Sequence, residues 1–210
     1  MEFIVRELGR MGYAQSTELQ RHLAEGVIEG KEPNTLLLVE HPPVLTLGAS
    51  FHRQNLLFDV DHYRQQGVEI HETDRGGDVT YHGPGQLVAY PIFNLRQIGQ
   101  DLHRWLRDIE ESIILTVSDF GIEGRRFAPH TGVWVGDRKI AAIGIKVRKW
   151  VSMHGLALNC DVDLAPFGTI VPCGIQGYGV TSLTQELDRR VTMDEVKPCL
   201  IDAFVTLFSQ

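Results

Sequence analysis

Of the 210 residues only three are cysteine, Cys160, Cys173 and Cys199. An odd, sparse set cannot build a disulfide framework, and no pair stands in Cys-x-x-Cys spacing. Basic charge is scarce too. Twenty Lys and Arg against 27 Asp and Glu leave a formal charge of −7, which argues against a general nucleic-acid binder, since phosphate contacts need a basic surplus. No apolar run approaches the ~18 residues of a membrane helix. The opening MEFIVRELGR carries acids and arginines too early for a secretion signal. The expectation is a cytoplasmic protein from a reducing compartment, with no membrane and no nucleic-acid partner. Nucleotide chemistry lacks its usual signature: neither Gly-x4-Gly-Lys-Ser/Thr nor a Gly-x-Gly-x-x-Gly after a strand occurs. Gly-x-Ser-x-Gly is missing as well. Nine histidines are present, but without His-Glu-x-x-His or paired Cys/His spacing, so no metal and no cofactor is expected.

What is there is ordinary globular material, 43% hydrophobic and 22% charged, enough for one large domain over residues 1–210. Neither repeats nor a linker divide it. Leu19, Leu23 and Val27 recur every fourth residue between Gly12 and Gly30, the pattern of an amphipathic helix. TLLLVEH reads as a buried strand stopped by Pro42-Pro43, and VLTLGAS begins another. VEIHETDRGG and DVTYHGPGQLVAYPIFNL supply more strands, interrupted by the loop His82 to Gly85. Residues 101–120 show a helical face through Trp105, Ile109, Ile113 and Val117. From Gly132 the period changes to two, with a turn at Gly136 to Arg138. Thr181 to Arg190 reads as helical. Thr192 and Glu195 form a capping box for a last helix in which Pro198 is awkward. The order predicts an α/β (α+β) fold with a mixed or mainly antiparallel sheet flanked by helices, not the regular alternation of a doubly wound one.

Two of the three cysteines read as packing. Cys160 alternates with Leu156, Leu158 and Val162, and Cys199 lies in the final helix. Cys173 is different, because Pro172 and Gly174 on either side put it on a bend, where neighbours do not bury it. A thiol there becomes a nucleophile if a cation or base is close. Alternation along Lys139 to Val147 places Lys139 on the same face as Ala141, Ile143, Ile145 and Val147, the lone charge among apolar residues. It either snorkels to water or serves that thiol. Arg75 to Gln86 is the densest functional-looking stretch: Gly76-Gly77 permits close backbone approach, and Arg75 is able to hold a carboxylate or phosphate. A hairpin with turn glycines is the plainer reading.

LLLVEHPPVLTLG, RGGDVTYHGPGQLVAYPIFNL, GVWVGDRKIAAIGIKVRKWVSMHGLALNCDVDLAPFGTIVPCGI and VTSL together resemble the lipoyl(octanoyl) transferases, over residues 34–184. The resemblance implies the catalytic fold of biotin and lipoate protein ligases. It implies transfer of an octanoyl or lipoyl group from acyl-carrier protein to a lysine of the lipoyl domains of 2-oxoacid dehydrogenase complexes and of the glycine-cleavage H protein. Such an enzyme needs no ATP and is expected to be a monomer. Carried over by motif, Cys173 is the acyl-thioester nucleophile, and Lys139 lowers its pKa and acts as general acid and base. The acyl cleft would be built by Arg75, Gly76, Gly77, Asp78, Val79, Thr80, Tyr81 and His82, by Ala142, Ile143 and Gly144, and by Gly155, Leu156 and Ala157 beside His154. Val79, Leu87, Ile143 and Leu156 would line an apolar tunnel. Backbone N–H groups of Gly76-Gly77 or Cys173-Gly174 are candidate oxyanion donors. Arg125, Arg126, Lys146, Arg148 and Lys149 form the expected docking patch for acidic partners.

Overall fold

The computed structural model describes residues 1–128, 130–171 and 177–209. The strands are β1 (Ile4–Arg10), β2 (Thr35–Glu40), β3 (Val44–Leu47), β4 (Glu69–Glu72), β5 (Val79–His82), β6 (Gln86–Ile92), β7 (Arg125–Phe127), β8 (His130–Val135), β9 (Arg138–Arg148), β10 (Val151–Asn159) and β11 (Gly179–Val180). The helices are α1 (Tyr13–Ile28), α2 (Val60–Gln65), α3 (Leu102–Ser118), α4 (Leu183–Leu187) and α5 (Met193–Phe208). One sheet runs β1-β2-β6-β10-β9-β8-β7, with β11 added on β9; a smaller one runs β4-β3-β5. β1 on β2 and β11 on β9 are parallel, and the rest of the large sheet is antiparallel. The mixed sheet expected from the element order is therefore present.

Its central strands are buried on both sides. Leu36, Leu38, Leu87, Ala89, Leu156 and Leu158 pack against α3 and α5, whose Trp105, Ile109, Ile113, Val117, Leu200 and Phe204 complete the main core. The opposite residues Leu37, Val88, Tyr90, Met153 and Ala157 meet Leu23, Ala24 and Val27 of α1. Leu45, Tyr63, Tyr81 and Phe167 form a third core under the small sheet. The helix ends follow local chemistry. Asp101 caps α3, and Thr192 with Glu195 closes the capping box of α5. Pro198 sits inside α5 without displacing its start at Met193. The last predicted helix before it shrinks to Leu183–Leu187, capped by Ser182 and ended by Asp188 at φ 49°. Cys160 is wholly buried as expected, its thiol pushed up to about 12 by desolvation.

Candidate active site

A glycine pair makes the floor. Gly144 of β9 faces Gly155 of β10 in the ladder. A Cβ on Gly144 would lie 2.9 Å from the Gly76 carbonyl oxygen and 3.0 Å from Arg75 Cδ. One on Gly155 would lie 2.2 Å from the Ala89 carbonyl oxygen. The bare Gly144 lets the Arg75-Gly76-Gly77-Asp78 loop lie directly on β9, while Gly155 leaves room for the backbone of β6. The register of β8 on β9 reaches Ala141, and beyond it the Gly76 N–H donates to the Ile145 carbonyl at 2.9 Å. That bond commits one of the N–H groups nominated as an oxyanion donor.

Arg75 does not reach outward as the sequence suggested. Its guanidinium donates to the Thr46 hydroxyl at 3.2 and 2.9 Å, and to the carbonyls of Thr46, Gly76 and Asp78 at 2.6, 3.0 and 2.8 Å. It is the internal brace of the loop. Asp78 is likewise turned inward, accepting from the Val79 N–H at 2.7 Å, from Asn55 Nδ2 at 2.7 Å and from His52. A buried polar chain continues from the brace. Thr46 donates to His82 Nε2 at 3.3 Å, and His82 Nδ1 donates to Gln86 Oε1 at 2.7 Å. Gln86 donates to Asn159 Oδ1 at 2.9 Å, and Asn159 to the Thr181 carbonyl at 2.9 Å. Burial pushes the His82 imidazole down to about 3, so it is neutral in this chain.

The pocket above the floor is lined by Arg75, Gly77, Thr80, His82, Ala142, Ile143, Gly144, His154, Gly155, Leu156 and Ala157, all predicted from sequence. Its mainly apolar walls suit an acyl chain. Three expectations fail by strand alternation. Val79 and Tyr81 point into the third core while Thr80 and His82 face the pocket, and Leu87 points into the main core while Val88 and Tyr90 face the pocket. Val79, Tyr81 and Leu87 therefore do not line the pocket. Tyr13, Val88 and Tyr90 are wall residues that sequence reading missed. Strands buried on both faces carry no polar alternation to tell the pocket side from the core side. His154 takes φ 56°, unusual for a non-glycine residue in a strand. Its N–H donates to Gln20 Oε1 at 2.8 Å, and its Nε2 meets Asp74 at 2.9 Å. Burial lowers its pKa against the opposing pull of Asp74.

Lys139 lies 6% exposed in an adjoining open groove that shares Gly77, Ile143 and Gly144 with the pocket. Leu106, His130 and Thr131 form its outer rim, with Gly76 and Asp78 at the loop. The face assigned to Lys139 from alternation needs correction. Val133 pairs with Ala141 but Trp134 pairs with Lys139, so Ile140 is an extra residue, a β-bulge. Neighbouring Val133 and Trp134 point to opposite faces, and their partners do the same. Lys139 therefore stands opposite Ala141, not beside it, and its Nζ sits 4.9 Å from the Trp134 ring centroid.

Cys173, with Gly174, lies outside the described residues. On the near side the Val171 N–H donates to the Asn55 carbonyl at 2.8 Å. On the far side Val180 pairs with Lys139, and the Thr181 N–H donates to the Lys139 carbonyl at 3.0 Å. The proposed docking residues divide into two groups, with Lys149 in the turn between β9 and β10 beside the second. Arg126 is held by Glu110 and Glu111, and Arg125 by the Gly136 carbonyl. Lys146 and Arg148 lie at the other end of β9, roughly 20 Å away at strand rise, paired with Asp74 and Glu25. Among the described residues no three His, Cys, Asp or Glu side chains converge into a metal-binding set, and no helix is long and apolar enough to cross a membrane.

The chain's likeness to known proteins agrees with this geometry. Residues 12–205 match the model of the lipoyl protein ligase A/B catalytic domain. It is 44% identical over 207 residues to an octanoyltransferase of Geobacter metallireducens, covering 99% of this chain and 94% of the relative. It is 47% identical over 203 residues to one of Syntrophotalea carbinolica, covering 97% and 93%. In fold it is similar to a lipoate-protein ligase A bound with ATP, at TM-score 0.78 and 19% identity over 100% of this chain and 86% of the other. It is also similar to a biotin protein ligase from Aquifex aeolicus, at TM-score 0.55 and 11% identity over 99% and 69%. By the family match over residues 12–205 and by these near full-length relatives, the chain belongs to the octanoyltransferases of the lipoyl protein ligase A/B catalytic-domain family.

Proposed function

We propose that residues 1–210 act as one monomeric, cytoplasmic catalytic domain that transfers octanoyl in two steps through Cys173, with Lys139 as its general acid and base. The donor is octanoyl-acyl-carrier protein. The acceptors are lysines of the lipoyl domains of 2-oxoacid dehydrogenase complexes and of the glycine-cleavage H protein. The Cys173 thiolate attacks the donor's thioester carbonyl, and the carrier's sulfur leaves with the proton of the Lys139 ammonium. The neutral acceptor amine then attacks the new thioester. Its surplus proton passes to Lys139, and an amide and a free Cys173 thiolate remain. Thioester to amide runs downhill, so no adenylate is required. The observation that carries this reading is Lys139: buried, opening on the groove beside an apolar pocket, and hydrogen-bonded through its backbone to the strand that follows Cys173. Gly77 and Gly174 remain the nominated oxyanion donors, each worth about 3 kcal/mol in such sites.

The fold neighbour that holds ATP defines the competing chemistry. Octanoyl transfer from carrier protein to a lipoyl domain is expected to run at full rate in apyrase-treated, nucleotide-free mixtures. It is expected to stop in Cys173→Ala. Dependence on ATP, with Cys173→Ala still active on free octanoate, would make the protein a ligase instead.

A further inference from the structure

Lys139 reaches its position past one large side chain. Trp134 is 1% exposed, and the bulge at Ile140 turns it to the same face as Lys139. Between the two strands Gly132, at φ +117°, leaves room: a Cβ there would lie 3.5 Å from Lys139 Cε and 2.5 Å from the Ala141 carbonyl oxygen. The Nζ thus lies against the indole face at 4.9 Å. Trp134 is itself fixed from the outside by Phe127, Tyr178 and His130, at ring-centroid distances of 5.1, 5.6 and 6.1 Å. An ammonium on a clamped, desolvated indole is held in orientation by the ring quadrupole, and this attraction is strongest where water is excluded. Asp78 and His130 line the same groove, and the neighbouring Arg138 is occupied by Glu186.

We propose that Trp134 is the positioning residue for Lys139, its indole face holding the ammonium by cation–π attraction in the orientation that proton transfer needs. This rests on the reading of Lys139 as acid and base. The clearest probe changes the ring's charge distribution and leaves its shape nearly intact. Single-turnover acylation by octanoyl-carrier protein is measured on protein carrying tryptophan, monofluoro- and difluorotryptophan. The rate is expected to fall in steps with fluorination, reaching about tenfold for the difluoro form, with little change in melting temperature. In Trp134→Phe, where Trp105 and Trp150 still carry the label, the steps are expected to vanish. A rate that does not depend on fluorination, in protein whose Lys139→Ala variant is impaired, would overturn this inference alone. A Lys139→Ala variant as fast as wild type would instead overturn the catalytic reading on which it rests.

Discussion

Lys139 and His82 are both buried polar residues at this site, and their neighbours give them different functions. Lys139 faces an open groove, whereas His82, though it lines the pocket, commits both ring nitrogens to Thr46 and Gln86 and is kept neutral at a pKa of about 3 by burial. His82 is therefore a structural link between the Arg75 brace and Gln86, and its titration makes the fold sensitive to acid. The unfolded imidazole takes a proton near pH ~6.5 and the folded one resists until about 3. Stability is then fully present above about pH 6.5 and declines as the pH falls through that window, by up to roughly 1.4 kcal/mol per pH unit. His41 and His154, both lowered by burial, act in the same direction. Denaturant unfolding of wild type and His82→Gln between about pH 6.5 and 4.5 is expected to show a shallower loss in the variant. Parallel slopes would mean that His82 is protonated in the folded protein.

At the scale of elements, the site depends on β9 lacking a side chain at Gly144, where the Arg75 loop lies on it. Gly144→Ala places a methyl against the Gly76 carbonyl and Arg75 Cδ. The expected result is a loss of about 1–3 kcal/mol in stability together with a raised KM for the acyl donor. Gly168→Ala, which meets nothing within 4 Å, is the matched control and is expected to be neutral in both assays. Equal behaviour of the two variants would show that the loop does not need the bare strand. The same elements show what sequence could and could not reveal. The helical faces of α1 and α3 were legible because their apolar spacing is regular, and the pocket's glycines and Ala142 to Gly144 were legible through family motifs. The face of Lys139 was misread because a bulge adds one residue to β9 without leaving a glycine or proline to mark it. Tyr13 was invisible for another reason: it belongs to α1, and only the packing of α1 across β6 and β10 brings it to the pocket. β1 also went unpredicted, since its alternate residues are largely exposed and leave no apolar run.

For the molecule as a whole, the sum of charges works against its proposed partners. A chain of net charge −7 repels acidic carrier proteins and lipoyl domains, so docking depends on a local basic surface. Lys146 and Arg148 stand at the end of β9 nearest Asp74 and α1, whereas Arg125 and Arg126 belong to the far edge strand and are committed to neighbours there. Reversing Lys146 and Arg148 to Glu together is expected to lower kcat/KM for octanoyl-carrier protein severalfold at low salt, with the defect shrinking as salt is added. An unchanged value would remove this pair from the docking surface.

The octanoyl group's stay on one sulfur is tested most directly by intact-mass spectrometry after incubation with octanoyl-carrier protein and no acceptor. Wild type is expected to gain a single octanoyl group that hydroxylamine removes and that peptide mapping places on Cys173. Lys139→Ala is expected to gain it far more slowly, and Cys173→Ala not at all. A wild-type protein that stays unmodified while still octanoylating a lipoyl domain would contradict the account.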